Sequence, residues 1–461
     1  MKNLSLLFFV FMFLAVMVSC EEEKDDGEKF SKLTVEQNKA VIQDAGIEFL
    51  DAMGRMKEVE SVDVIYNLGN IMAPQPTKKS AISRDSKIFS TLETFAAVAK
   101  GEKKLNDLFH AMAAPKELAE DPQSILEFWN ENKGTYTWNE SLEDFDFVAG
   151  GTKIIFLFPS SDISVTNDAT FTISNYTGVT ISNPFMEDYT GDFPVSLLAD
   201  LKVGNNTLLS FVFAAQYNTD GSPKNIACDL TIETFRFEID LTNTTENVSL
   251  NYKFLENGSV ILDIGAAGEG LFTEENYNDN TQTHTETYTD IIDWVYNPGT
   301  QQYDPVYGQF TDEWQETDFE EIIHSASAHF QLFGLAIRGD VNIKGLVDQL
   351  NLIEEDREND DISDTEAVRR EADKINEFLN LRLVTVSNNE ILAKAEAYAK
   401  TEVGQLYNDT YIDFKLTFGD GSPIDVATYF EDGFDDFIDE LNSFIDDLNA
   451  DYDLGLEGPV K

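Results

Sequence analysis

The polar–apolar pattern of this chain changes period three times. From Thr34 to about Ala114 apolar residues recur every three or four positions. Val41, Ala45, Phe49 or Leu50, Met53 and Met56 fall on one stripe, which predicts an amphipathic helix. Thr34 followed by Gln37 is a capping box at its start. Beyond the Pro74-Gln75-Pro76 break, Ile88, Leu92, Phe95 and Ala99 predict a second helix. From Gly134 to about Gly270 the period becomes two, and strands are predicted over 134–138, 153–158, 170–176, 208–217, 227–241, 248–255 and 260–266. After Ile322 the two periods mix. A strand over 328–341 is followed by helices over 344–354 and 365–379, the second behind a Ser363-x-x-Glu366 cap. Two or three short strands then lead to a long final helix. Ser422 is its expected cap, with Pro423 first and Asp425 third, and the stripe runs through Phe430, Phe434, Phe437, Ile438, Leu441, Phe444, Ile445, Leu448 and Tyr452. Its acids, Asp435, Asp436, Asp439, Asp446, Asp447 and Asp451, read as a solvated face.

One hairpin can be argued in register. Val248, Leu250, Tyr252 and Phe254 share a face, as do Val260, Leu262, Ile264 and Ala266. A two-residue Asn257-Gly258 loop would set Phe254 against Ile261 and put the two apolar sets on opposite faces. A three-residue loop, Glu256 to Gly258, sets Phe254 against Val260 and Tyr252 against Leu262, with Gly258 left-handed. The three-residue loop is the expectation. The phase slip between Leu230/Ile232 and Phe235/Phe237/Ile239 predicts a bulge near Thr234. Clean alternation implies an antiparallel sheet with one buried face, covered by the flanking helices. The fold class is therefore α+β: N-terminal helices, a large antiparallel sheet in the middle, and a mixed C-terminal region ending in a long amphipathic helix. The boundaries fall at 34–115 (helical), 116–272 (β), 273–321 (an acidic, aromatic-rich insertion) and 322–461 (α+β, packed on the same body).

Charge narrows the partners. The 461 residues hold 85 acids against 32 basic residues, a net charge of −53, so nucleic acid is excluded as a partner by repulsion. Hydrophobic residues at 42% are too many for a disordered chain despite that charge.

The N-terminus carries an address. Lys2 precedes Leu4–Val18, an apolar run of fifteen residues broken only by Ser5 and too short to span a bilayer. It ends Val16-Met17-Val18-Ser19-Cys20, followed by Glu21, Glu22, Glu23, Lys24, Asp25 and Asp26. Residues 1–19 read as a signal peptide. The small residue before Cys20 resembles a bacterial lipobox, with Met17 where leucine is usual. The acidic run resembles the export signal of surface lipoproteins of Bacteroidota. Gly419-Asp420-Gly421-Ser422-Pro423 with Tyr429 and Phe430, Gly134-Thr135-Tyr136-Thr137-Trp138 and Phe156-Leu157-Phe158-Pro159 are similar to patches of uncharacterised lipoproteins of that group. The resemblance implies lipid attachment at Cys20, a tether over 20–33, and an outer-membrane location facing the exterior; it implies no activity. With Cys20 acylated, Cys228 is the one remaining thiol and no internal disulfide can form. Ile226, Leu230 and Ile232 share its alternating face, so it reads as a small core hydrophobe.

Catalytic signatures are missing. His324 and His329, five apart, face different ways on a strand or a helix and make no metal pair unaided. There is no nucleophile elbow, phosphate-binding loop, dinucleotide fingerprint or zincin motif, and Asp420 to Ile424 is not a calcium loop. No catalytic residue, metal or cofactor is expected. The segment 274–320 stands apart, with nine aromatic residues, twelve acids and no Lys or Arg. Trp294, Tyr296, Tyr303 and Trp314 are the candidate ligand-binding residues, on a hairpin turning at Pro298-Gly299 with Asp293 and Asp304 at its rim. Rings beside carboxylates suit sugars or cationic groups. The expected function is non-enzymatic binding or a structural role at the cell surface, with a glycan, a cationic ligand or a protein as partner. The alternative is a secreted glycan hydrolase using two carboxylates.

Overall fold

Alternation at period two, repeated along most of the chain, builds a single very wide sheet. The structure is a computed structural model describing residues 29–72, 125–182, 192–245, 247–297, 302–403, 408–431 and 433–452. The lipobox at Cys20 and the helix expected around Ile88 to Ala99 lie outside these residues. The strands are β1 (Gly134–Asn139), β2 (Asp144–Ala149), β3 (Ile154–Phe158), β4 (Ala169–Thr180), β5 (Asp192–Val203), β6 (Asn206–Tyr217), β7 (Pro223–Ile232), β8 (Phe235–Asn243), β9 (Val248–Glu256) and β10 (Ser259–Gly270). After them come β11 (Thr281–Asn297), β12 (Gln302–Thr317), β13 (Ile323–Leu332), β14 (Leu335–Val341), β15 (Leu379–Thr385), β16 (Ile391–Val403), β17 (Asn408–Thr417) and β18 (Pro423–Asp425). Sixteen of them form one sheet in the order β18-β17-β16-β15-β14-β13-β10-β9-β8-β7-β6-β5-β4-β3-β1-β2, while β11 and β12 pair only with each other. Neighbours are antiparallel except β1 and β3.

The helices are α1 (Val35–Lys57), α2 (Glu60–Met72), α3 (Ile125–Asn132), α4 (Glu274–Asp279), α5 (Phe319–Ile322), α6 (Ile343–Glu358), α7 (Asp364–Phe378), α8 (Val426–Phe430) and α9 (Asp435–Tyr452). The fold is α+β. One face of the sheet is apolar along direct register lines, such as Phe156–Phe171–Leu201–Leu209–Ile232–Phe235. Helices cover that face. Ala52, Phe49, Met53 and Met56 of α1 pack on Phe235, Phe254 and Ile261. Val64 and Leu68 of α2 pack with Phe158, Leu208 and Leu209. Leu346 of α6 and Ala372 and Ile375 of α7 close over Val341 and Ala397, and Tyr429 and Phe434 pack on Ala393 and Phe418. Helix α9 rests on α1 at Gly46, where a Cβ would lie 2.7 Å from the Phe437 ring. The capping box at Thr34/Gln37 and the Ser363 cap on the Glu366 N–H form as the pattern predicts.

Local chemistry overrides the pattern in four places. The stretches 227–241 and 328–341 are hairpins, each folded by a two-residue turn: Glu233-Thr234 and Phe333-Gly334, with Glu233 at φ 51° and Phe333 at φ 49°. The expected bulge near Thr234 is thus a turn. At Asn257-Gly258 the loop has two residues, not three, and both are left-handed, at φ 51° and 81°. This is the turn that Asn-Gly favours. A bulge at Ile261 then restores the shared face, so Phe254 meets Leu262 and Tyr252 meets Ile264. The expected Phe254–Val260 register is therefore wrong, and the extra residue is anchored: Ile261 is buried and its carbonyl accepts the Phe333 N–H at 2.8 Å. Finally, Ser422 caps no helix. Pro423–Asp425 adds an edge strand to β17, where a proline costs no ladder bond, and Ser422 bonds Asp420 across the turn.

Candidate functional site

Strands β10 and β13 pair directly, Leu262 against Leu332 and Ala266 against Ala328. Residues 271–322 therefore leave the sheet and return to the same place. The excursion opens with α4, capped by the Thr273 hydroxyl on the Asn276 N–H at 3.3 Å. It then runs out along β11 and back along β12, seventeen and sixteen residues long. At about 3.3 Å per residue this ribbon reaches roughly 50 Å.

Its base is held by side chains from neighbouring turns. Asn243, buried, accepts the Phe272 N–H at 2.9 Å and donates to the Phe272 and Pro223 carbonyls at 2.6 and 3.0 Å. Asp220 accepts the Glu274 N–H at 2.7 Å, and the N–H and hydroxyl of Ser222 at 3.0 and 2.7 Å. Burial pushes the Asp220 carboxyl up, but these bonds outweigh it and hold it below the ordinary carboxylate value. Across the ribbon's foot, the Thr281 and Thr317 hydroxyls meet at 2.8 Å.

The ribbon has two unlike faces. Antiparallel partners share a face, and the register pairs Thr281 with Thr317, Thr287 with Thr311 and Ile291 with Tyr307. A bulge at Ile292 shifts the parity, after which Trp294 pairs with Pro305 and Tyr296 with Tyr303. One face thus carries a threonine ladder (281, 283, 285, 287, 289) that ends at the tip in Ile291, Trp294, Tyr303, Pro305 and Tyr307. Its one carboxylate is Glu313. The other face holds Glu286, Asp290, Asp293, Asp304, Asp312 and Glu316, together with two stacked rungs: His284–Trp314 at 5.5 Å and Tyr288–Phe310 at 5.8 Å. Glu286 lies directly opposite Asp312, a like-charge pair with no lysine or arginine on the ribbon to relieve it. The Asp312 charge is the chief cause of the raised Tyr288 pKa.

These rings do not pack down on the sheet. Trp294 is 54% exposed, Tyr303 64%, Tyr307 61% and Trp314 46%. Of the four candidate positions, Trp294 and Tyr303 come together on the neutral face, and Tyr296 takes the register position opposite Tyr303. Trp314 does not join them: it lies on the acidic face, nearer the base. Asp293 and Asp304 are likewise on the face opposite the expected platform, because β-strand parity places them there. Tyr307 and Ile291 belong to the platform and were not singled out in the sequence, because the bulge at Ile292 hides their phase. Strict alternation of threonine from 281 to 289 is the signal that marks β11 as a strand.

Elsewhere the chemistry is quiet. His329 bonds Asp263 at 3.0 Å and His324 meets the Glu320 carbonyl at 2.9 Å. Among the described residues no three His, Cys, Asp or Glu side chains gather as a metal site. Burial pushes the Cys228 thiol up to about 11, leaving it protonated and unreactive at neutral pH. A cavity of about 290 Å³ between α1 and α9 is lined by Asp51, Arg55, Glu58, Glu440 and Asp447. Glu320 and Glu371, whose pKa values burial raises, line neither this cavity nor the one of about 390 Å³ beside Lys39 and Tyr429. No family model matches this chain, and neither a curated protein nor a solved structure shows significant similarity to it.

Proposed function

We propose that this protein is a surface lipoprotein, anchored at Cys20 to the outer membrane and facing the exterior, that binds a partner through the β11–β12 ribbon without catalysing a reaction. The observation that carries the reading is the ribbon itself. Large rings are exposed along about 50 Å of strand that contributes little to any core, whereas a soluble protein ordinarily buries such residues or uses them. Its placement suits a tethered protein. Phe30 pairs with Ile391 at one end of the strands, beside the turn after Thr385. The ribbon departs from the opposite end, between Gly270 and Ile323. The intervening strands are roughly 30 Å long, so an anchor ahead of Lys29 would leave the ribbon at the far end of the body.

The neutral tip, with Trp294, Tyr303 and Tyr307, suits a glycan, because sugar C–H faces stack on rings. A second reading, a cationic ligand, is favoured by the other face, where six of the ribbon's seven carboxylates flank stacked rings. The hydrolase alternative would want a carboxyl of raised pKa in a cleft, and Glu320 and Glu371 are not so placed. A fatty-acid labelling experiment tests the anchor: Cys20→Ala should abolish labelling and release the protein from membranes, and unchanged labelling refutes it. Glycan-array binding of the wild type and of Trp294→Ala/Tyr303→Ala tests the platform. The double variant should lose binding while keeping the wild-type melting temperature; a large loss of stability would make these rings packing residues.

A further inference from the structure

We infer that the outer edge of β11 takes an extended basic segment of a partner protein as a third strand of the ribbon. This rests on the ribbon being the binding element proposed above, and it gives the cationic ligand a form. Among the described residues β11 is hydrogen-bonded in a sheet to β12 alone. In an antiparallel pair every second residue turns its N–H and C=O away from the partner strand. Pairing with β12 is unbroken from Thr281 to Ile291, where the bulge at Ile292 interrupts it. These eleven residues, roughly 35 Å of strand, present a regular row of outward donors and acceptors. They include no proline, which would remove a donor, and no lysine, which natural sheets place on open edges. Strand β12, by contrast, carries Pro305. A two-stranded ribbon is marginal in water, and a third strand is what stabilises it.

The side chains beside this edge select what can pair with it. One face of β11 carries Glu286 and Asp290 with Tyr288 between them, and the other carries Thr285, Thr287 and Thr289. Glu286 is backed across the ribbon by Asp312, which is hydrogen-bonded to the neutral Tyr288 hydroxyl. Nearer the foot, His284 lies 3.2 Å from Glu316, so the acidic part of the edge begins at Glu286. These charges exclude a second copy of this chain. Two β11 edges paired antiparallel would gather Glu286 and Asp290 of both copies on one face, where like charges oppose pairing. For a basic strand the same charges are favourable. Lysine or arginine beside Glu286 and Asp290 makes opposite-charge cross-strand pairs, and the one beside Glu286 also relieves its repulsion with Asp312. Tyr288 between them suits an arginine. On the other face threonine or valine extends the threonine ladder. The fitting segment therefore alternates basic and β-branched residues. Its backbone supplies affinity and its alternate side chains supply specificity, the logic of strand addition to an open edge.

Fluorescence anisotropy of the full chain with a labelled peptide of about eleven residues, alternating lysine with threonine and blocked at both ends, tests this. The wild type should bind it at low salt and gain exchange protection at the outward amides of β11. A peptide of the same composition with its lysines in one block should bind about tenfold more weakly or worse. So should the alternating peptide methylated on its four central backbone nitrogens, which loses about two facing donors in either strand orientation. On the protein, Glu286→Lys/Asp290→Lys should weaken binding by about tenfold or more. Asp435→Lys/Asp439→Lys, the same change of charge on α9, should stay within about threefold. Undiminished binding of the blocked or methylated peptide, or equal losses in the two double variants, would mean diffuse charge attraction and overturns the inference. Absence of binding by the wild type overturns it as well. In that case, glycan binding that is lost in Trp294→Ala/Tyr303→Ala leaves the ribbon standing as a recognition arm, and failure of both assays removes that reading too.

Discussion

The sheet and the ribbon are made of the same local structure and obey opposite economies. In the sheet every strand has one apolar side, and α1, α2, α6 and α7 close over parts of it, so Phe156, Phe158 and Phe254 are all but inaccessible. In the ribbon both sides are wet, and apolar rings appear on both. An isolated two-stranded ribbon is marginally stable in water, and this one adds the Glu286–Asp312 repulsion. Cross-strand stacking and threonine pairs are what it has in compensation. The difference teaches that aromatic content by itself does not tell a core from a display; the number of wet faces does.

The largest expected effect separates the two regions outright. Phe156→Ala should destabilise the body by about 3–5 kcal/mol, the range for a buried aromatic. Trp294→Ala should stay within about 0.5 kcal/mol, as for an exposed position. Denaturant titration of both variants measures this, and similar losses would erase the distinction. Next is the ribbon's foot. Asn243→Ala removes the buried amide that the half-buried Phe272 N–H and two carbonyls bond and should cost about 1–3 kcal/mol, together with faster amide exchange through α4. Asn243→Asp keeps an acceptor for that N–H but sets a carboxylate oxygen against the Pro223 and Phe272 carbonyls that Asn243 now donates to, so it should recover none of the loss at neutral pH.

How far these regions were legible in the sequence follows the same divide. In the sheet, period-two runs and the caps at Thr34 and Ser363 could be read because burial of one face leaves a clean signal. The turns at Glu233-Thr234 and Phe333-Gly334 were missed since a glutamate and a phenylalanine occupy left-handed positions that the usual turn residues would have announced. The bulge residues Ile261 and Ile292 are apolar, so counting apolar positions cannot show that one of them falls out of phase. In the ribbon, rings on both faces blur the alternation. Trp314 was consequently grouped with Trp294 although parity separates them.

Two smaller effects sharpen the comparison. The Asp220 carboxyl is held below its ordinary value in the folded protein, so its contribution is present above the unfolded value near 3.9 and disappears as pH falls through the folded one. Acidification below about pH 4 should therefore loosen the ribbon's foot, seen as faster exchange of the Glu274 amide, and Asp220→Asn should flatten that pH dependence. A foot equally protected across that range would remove Asp220 from the account. The smallest effect is ionic. The stretch 254–337 carries sixteen acids and no Lys or Arg, and salt screens such repulsion. A modest rise in melting temperature with sodium chloride is expected, and a fall would contradict it.

The most direct test of the central claim is to excise residues 281–317, join the ends with a short glycine–serine link, and record the melting temperature. The ribbon is read as a displayed element with no share in the body's core. The shortened chain should accordingly melt cooperatively within a few degrees of the full protein, since a loss near 1 kcal/mol moves a chain of this size by no more than about 2–4 °C. Collapse of the cooperative transition, or a far larger fall, would mean that the ribbon holds the sheet together and is not a recognition arm.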